Sequence, residues 1–189
     1  MVQRRSSTLD AARAGDREAL AELWRTHQAP LLRYLRSRRT PSHDDAASQV
    51  WIDVATSIGR FEGDDDDFRR WLFTIAHRRS VDQIRKAVRA SAPQASLAVR
   101  AADHAAGADA DHDDHDALAR AIALVATLPD DQAEAVMLRV VNDLPTADVA
   151  AVMGTSTGNV RVLVHRGLTR LRRKISVTDA DVPAMKRVP

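Results

Sequence analysis

The chain of 189 residues contains no cysteine. Disulfides, zinc–thiolate sites and a thiol nucleophile are therefore excluded. It also lacks any apolar run long enough to cross a bilayer. Its first residues, MVQRRSSTLD, have none of the apolar core of a secretory signal. A cytoplasmic protein with no membrane insertion is expected. No segment alternates apolar and polar residues convincingly, as a half-buried strand would. Nor is there a large charge excess: 28 Lys and Arg against 26 Asp and Glu leave +2. The chain is not a bulk polycation, and its charge must be judged by where it sits.

Helical periodicity is present in two blocks. Residues 8 to 89 read as helical throughout, and periodicity resumes at Leu118, with Ile122 and Val125 one and two turns on. Leu128-Pro129 ends that helix, and Asp130 or Asp131 can open the next, whose apolar positions are Ala133, Val136, Met137 and Val140. Between the blocks, Ser91 to Asp116 carries six aspartates against one arginine and no aromatic residue, the composition of a flexible acidic linker. The expected architecture is all-α: a helical domain over 8–90, a linker over 91–116, a second domain over 117–175, and a frayed polar tail over 176–189. His104, His112 and His115 stand among the linker carboxylates, but ligands need a rigid scaffold and a linker provides none. No metal, cofactor or catalytic constellation is expected, and hence no enzyme.

The most informative stretch is TADVAAVMGTSTGNVRVLVHRGLTRLRR, Thr146 to Arg173. Val149, Ala150 and Met153 face inward on a short helix, Gly154 is suited to a left-handed terminus, and Ser156 can cap the next helix. Val160, Leu163, Val164, Gly167, Leu168 and Leu171 then share one side of that longer helix, with Arg161, Val162, His165, Arg166, Thr169, Arg172 and Arg173 on the other. Two helices about so tight a turn form a helix-turn-helix, whose second helix enters the DNA major groove. Six basic residues and no acid between Val160 and Lys174 favour DNA over an ordinary helical hairpin.

The first block carries different surfaces. From Ser42 to Phe61 an apolar stripe runs through Ala47, Val50, Trp51, Val54, Ile58 and Phe61, matched by Leu20, Leu23, Trp24, Leu31 and Leu35 before it. Trp24 and Trp51 are expected in the core. The opposite face holds Asp45, Gln49, Ile52, Asp53 and Thr56, with Ile52 exposed among polar neighbours. The helix from Phe68 to Arg89 is apolar on two sides: Phe68, Trp71, Leu72 and Ile75 on one, and Phe73, Val81, Ile84 and Val88 nearly opposite. Such a helix is central to a bundle or touches something besides its own core. Arg78, Arg85 and Arg89 share a stripe with Trp71, a pattern suited to single-stranded nucleic acid. Trp71 is compatible with core, melting wedge or stacking platform. The acidic run Asp64 to Asp67 favours the helix N-terminus.

The order of these motifs resembles the extracytoplasmic-function (ECF) group of bacterial sigma factors. The phrases AGDREALAELWRTHQAPLLRYL, HDDAASQVWIDVATSIGRF, FRRWLFTIAHRRSVDQIRK and LPDDQAEAVMLRVVNDL, running into the helix-turn-helix, carry the resemblance. It implies regions two and four joined by a linker along the polymerase. Asp45, Gln49, Ile52 and Asp53 would contact the core enzyme. Phe61, Trp71, Arg78, Arg85 and Arg89 would hold the opened minus-ten element. Asn159, Arg161, Val162, His165, Arg166, Thr169, Arg172 and Arg173 would read or grip the minus-thirty-five element. RNA polymerase core enzyme, promoter DNA and an anti-sigma factor are the implied partners. The chain departs from the family's habit at Ala46-Ala47-Ser48-Gln49, and at Asn159-Val160-Arg161-Val162-Leu163, where two commonly polar positions are apolar. The competing reading is a stand-alone helix-turn-helix regulator, which has no need of the basic, tryptophan-bearing helix.

Overall fold

A computed structural model describes residues 2–38, 40–91 and 112–180. Among them are eight α-helices and no strand: α1 (Val2–Arg13), α2 (Arg17–Ser37), α3 (His43–Ser57), α4 (Asp65–Ser91), α5 (His112–Ala126), α6 (Asp130–Val136), α7 (Thr146–Met153) and α8 (Thr157–Ala180). A 3-10 turn (Ile58–Arg60) follows α3, and a π-helical turn (Met137–Val141) follows α6. Most of the expected linker (92–111), with His104, and residues 181–189 of the expected tail lie outside the described residues. At its edges the secondary structure reaches further than expected: α5 starts at His112, inside the stretch read as linker, and α8 continues past Ile175 to Ala180.

Local chemistry fixes the joints. Gly15 at φ +91° closes α1, with Asp16 N–H donating to Ala11 O and Gly15 N–H to Ala12 O. This is a Schellman terminus. The Asp16 carboxylate then accepts from the amides of Glu18 and Ala19 to open α2. Ser42 caps α3 through the Asp45 amide at 3.3 Å. The acidic run before α4 is a cap too: Asp64 accepts from the Asp66 and Asp67 amides at 3.0 Å, and Asp67 accepts in return from the Asp64 amide at 3.2 Å. As expected, α6 opens at Asp130 after Pro129; Pro129 offers no side-chain cap, and the Asp131 carboxylate accepts from the Gln132 amide at 2.8 Å.

Two expected core residues are outside the core. Trp24 is 45% exposed. At that end of α2 the neighbour is α1, and the covered side belongs to Ala19 and Leu23, with Trp24 roughly 100° round from Leu23. Val140 is 50% exposed because the wider π turn rotates it out of the stripe set by Ala133 and Val136. Trp51 is half-buried and donates its indole N–H to Gln28 at 2.7 Å. Elsewhere the stripes pack as read: Leu31, Leu35, Ala47, Val50, Val54, Phe68 and Leu72 are buried in the first block, and Val149, Val160 and Leu163 in the second.

The blocks pack against each other, α4 on α7 and α2 on α5 and α6. That contact accounts for part of the second apolar side of α4. Arg69 and His77, one turn either side of the buried Phe73, bond Asn142 and Glu134 of the second block. Phe73 itself meets Tyr34 of α2 edge-on at 5.5 Å, whereas Val88 further along remains exposed.

Candidate nucleic-acid and polymerase interfaces

The α8 face is built by the turn before it. Gly154 takes φ +62°, ψ +38°, and Thr155 N–H donates back to Ala150 O at 2.9 Å. Ser156 Oγ accepts from the Asn159 amide at 3.1 Å, which sets the first turn of α8. Gly167 lets α8 lie close on α6, for a Cβ there would sit 2.8 Å from Val136 Cγ2. With Val160, Leu163 and Gly167 turned inward, Asn159, Arg161, Val162, His165, Arg166, Thr169, Arg172 and Arg173 are all exposed. Basic charge on α8 is divided. Arg170 donates to Gln132 and Lys174 to Thr127, both within the same domain. Arg161, Arg166, Arg172 and Arg173 form no ion pair among the described residues.

The surface around α4 is organised differently. Phe61, just past the 3-10 turn, stacks on Trp71 with centroids 4.9 Å apart and planes at 24°, and meets Phe68 edge-on at 5.9 Å. Trp71 is thus part of an aromatic cluster, half-buried and open on one side. A cleft of about 440 Å³ lies against the stack, bordered by Glu62, Asp67 and Arg70. A second, of about 470 Å³, runs between α3 and α4, lined by Asp53 and Thr56 of α3 and by Trp71, Ile75, Arg78 and Arg79 of α4. Arg85 and Arg89 are exposed further along α4.

On α3, Asp45, Gln49 and Ile52 are exposed, Ile52 at 53%. Asp53 is different. It is clamped by Arg79 of α4, Nε to Oδ2 at 2.6 Å and Nη2 to Oδ1, and this hydrogen bonding raises the Arg79 pKa. Asp53 therefore already holds two helices together, and a charge reversal there disturbs packing as well as any partner contact.

Between the blocks lies a polar cluster that periodicity did not reveal. Glu134, 3% exposed, accepts from Tyr34 Oη at 2.5 Å and His77 Nδ1 at 2.7 Å through Oε1, and pairs with Arg38 Nη1 at 2.9 Å through Oε2. Burial alone would raise the Glu134 pKa, but the His77 hydrogen bond, the Arg38 charge and Tyr34 hold it below the usual carboxylate range. Burial, with Glu134 alongside, pushes the Tyr34 hydroxyl well above its ordinary value, so it stays a donor. Around the cluster, Arg38 donates to Asp130 O, Arg69 to Asn142 O, and Arg70 bridges Asp67 and Asp148. The available signal was Arg38, seven residues after Leu31 and so on the buried stripe of α2, together with Glu134 among apolar neighbours on α6.

Comparison with known proteins gives these surfaces a family. Residues 23–90 match the family model for Sigma-70 region 2, and residues 118–171 the model for Sigma-70, region 4. Over 179 residues the chain is 33% identical to the ECF RNA polymerase sigma factor SigD of Mycobacterium tuberculosis, covering 92% of this chain and 84% of that one. The chain belongs to the ECF sigma factors. As such it directs RNA polymerase to promoters for initiation. A second ECF sigma factor, ShbA of Streptomyces griseus, is 34% identical over 84% of this chain and 88% of its own. Two solved structures share the fold. CnrH in complex with the cytosolic domain of CnrY has a TM-score of 0.64 at 21% identity, covering 94% of this chain and 98% of that one. RpoE of Bartonella quintana, in complex with the anti-sigma factor NepR, has a TM-score of 0.63 at 24% identity, covering 82% and 98%.

Within the sigma factor, the region-two match thus runs from Leu23 in α2 into α4, and the region-four match from Leu118 in α5 to Leu171 in α8. Helix α1 precedes both. The Glu134 cluster joins the two regions, with Tyr34, Arg38 and His77 from region two and Glu134 from region four.

Proposed function

We propose that this sigma factor divides promoter recognition between its two regions. The observation that carries the reading is the pairing of two unlike surfaces: an exposed basic row on α8, and an aromatic stack beside a cleft on α4. Arg161, Val162, His165 and Arg166 occupy the first two outward turns of α8, which lie deepest in the groove in helix-turn-helix docking. Arginine reads guanine O6 and N7, and Val162 suits a thymine methyl. Asn159 stands at the entry, while Thr169, Arg172 and Arg173 lie where phosphates run. In region two, Phe61 and Trp71 offer a face for an unstacked base of the minus-ten element, and Arg78, Arg85 and Arg89 offer charge to its phosphates.

Asp45, Gln49 and Ile52 form the face for the core polymerase, with Asp53 behind them fixing α3 to α4. The protein performs no catalysis itself and acts in the cytoplasm, where the polymerase is. An anti-sigma factor is a further partner, by likeness to relatives solved in such complexes. The packed regions cannot serve both elements together. The elements lie roughly 25 base pairs, or about 85 Å, apart at ~3.4 Å per base pair. A compact chain of this length has a radius of gyration of only ~16 Å. The regions must part on the promoter.

Run-off transcription with purified core polymerase on a promoter set tests this. Promoter-dependent initiation only when the protein is added supports it. Specific duplex binding by the free protein, with no effect on core, would overturn it in favour of a stand-alone regulator. Ile52→Asp should weaken core binding at least tenfold, since an unpaired carboxylate buried at an interface costs more than the ~1.4 kcal/mol that a factor of ten requires.

A further inference from the structure

Helix α1 lies outside both matched regions, yet it is built into the minus-ten surface. Leu9 and Ala12 are each only 2% exposed, and α1 packs on α2, α4 and the 3-10 turn. The Schellman terminus at Gly15 and the Asp16 cap of α2 fix the end of α1 in place. Arg13 is the last residue of that helix. Asp10, one turn back, holds its Nη1 at 2.9 Å. Its Nη2 donates to the carbonyl of Gly63, and its guanidinium carbon lies 5.2 Å from the centre of the Phe61 ring. The backbone carbonyl of Arg13 also closes on Gly59, where an added Cβ would be 3.5 Å away.

One side chain thus grips both ends of the segment between the 3-10 turn and α4. Phe61 is held between the Arg13 guanidinium on one contact and the Trp71 indole on another. Gly63 adopts φ +140°, and a Cβ there would stand 2.5 Å from Asp67 Cβ, so the Arg13 hydrogen bond acts on a backbone with no room to rearrange. A surface that must accept an unstacked base works best when it is already shaped, because ordering a loop on binding subtracts from affinity and blurs discrimination.

We propose that Arg13 is a positioning residue for minus-ten specificity. It holds Phe61 on Trp71 and the Gly63 carbonyl in place, so that the cleft beside them stands ready for one single-stranded base. The proposal rests on the reading that the Phe61–Trp71 surface binds the opened minus-ten strand.

The test uses holoenzyme assembled from core polymerase and the full chain, as wild type, Arg13→Ala or Arg13→Lys. The probes are single-stranded oligonucleotides carrying the minus-ten element, with each base varied in turn. Arg13→Ala should lower discrimination at one position by about five- to tenfold, a range that joins one cation–π contact to one hydrogen bond. Discrimination elsewhere, core affinity and duplex minus-thirty-five binding should be unchanged. Arg13→Lys keeps a charge over Phe61 and a donor for Gly63, and should restore most of the loss. If wild-type holoenzyme does not discriminate among these strands, the minus-ten reading itself fails. If wild type discriminates and Arg13→Ala does so equally well, Arg13 has no positioning role. A loss shared equally by all sequences, and not recovered by lysine, makes Arg13 a structural residue only and also overturns the proposal.

Discussion

The two surfaces proposed to meet DNA in this sigma factor are made on opposite plans. On α8 the exposed side chains stand out singly from a rigid helix, and the packing that supports them lies behind it, at Val160, Leu163 and Gly167. On region two the key side chains are occupied with each other: Phe61 on Trp71, Arg13 on Phe61 and Gly63, Arg79 on Asp53. The contrast suits the targets proposed for them. Duplex DNA presents ordered base edges, so a projecting arginine is enough. A single strand presents flexible bases, and the protein must supply the order itself. Substitutions on α8 should therefore act through the one side chain removed, whereas substitutions around Trp71 should act through the neighbours they leave unsupported.

The largest effect is expected where the two plans meet. Breaking a buried ion pair by removing one partner costs about 3–5 kcal/mol. Glu134→Ala leaves Arg38 and His77 facing an empty site, and should release region four from region two, seen as a larger radius in small-angle scattering. Acid should do the same. The Glu134 pKa is depressed in the folded chain, so its contribution is complete above the ordinary carboxylate value of ~4.3 and lost as pH falls through the lower folded value. The facing groups are Tyr34 from α2, Arg38 at its C-terminal cap and His77 from α4. Between pH 7 and pH 3, wild type should lose stability that Glu134→Gln does not lose. Equal slopes would show that this carboxylate is not the acid-sensitive part of the docking.

Next in size is Trp71→Ala, which removes both the stack under Phe61 and a base platform worth about 1–3 kcal/mol per base. Permanganate reactivity of the melted bubble should fall on every promoter, while duplex binding at the minus-thirty-five element is retained. On α8, Arg161→Ala or Arg166→Ala should also cost about 1–3 kcal/mol, but confined to one or two base positions. If selected minus-thirty-five sequences are the same for wild type and both variants, the projecting-residue plan is wrong for this helix.

Legibility in the sequence divides along the same line. The outward face of α8 was readable, because a helix-turn-helix is local: Gly154, Ser156 and the 3.6-residue spacing decide which residues face out. The two-sided character of α4 was also visible at Phe73, though not what covered it. What stayed hidden depends on residues far apart in the chain. Arg13 and Gly63 are fifty positions apart, and Tyr34 and Glu134 one hundred. No periodicity reports such contacts. Trp24 was misjudged for a related reason, since a stripe does not show how far the neighbouring helix extends over it, and Val140 because the π turn breaks the 3.6-residue spacing. Asp53 was correctly placed on the α3 face, but its partner Arg79 on the next helix changes what a substitution there would test.

The smallest predicted effect is also the one that best sharpens the comparison. Arg172 is exposed two turns beyond His165, on the same side of α8 but past the part that enters the groove. At that distance a phosphate is the nearer partner, and a phosphate contact carries no sequence information. Arg172→Ala should therefore weaken binding to all minus-thirty-five sequences by the same factor, by about 1 kcal/mol or less for a single exposed charge. The plot of log affinity against log salt should become shallower by roughly one unit, because one fewer counterion is released. Arg161→Ala loses a base contact and should change the selected sequence, with its effect surviving at high salt. Titrations of both variants at several salt concentrations separate the two roles. A change in base preference from Arg172→Ala, with none from Arg161→Ala, would mean that α8 lies in the groove in the opposite sense.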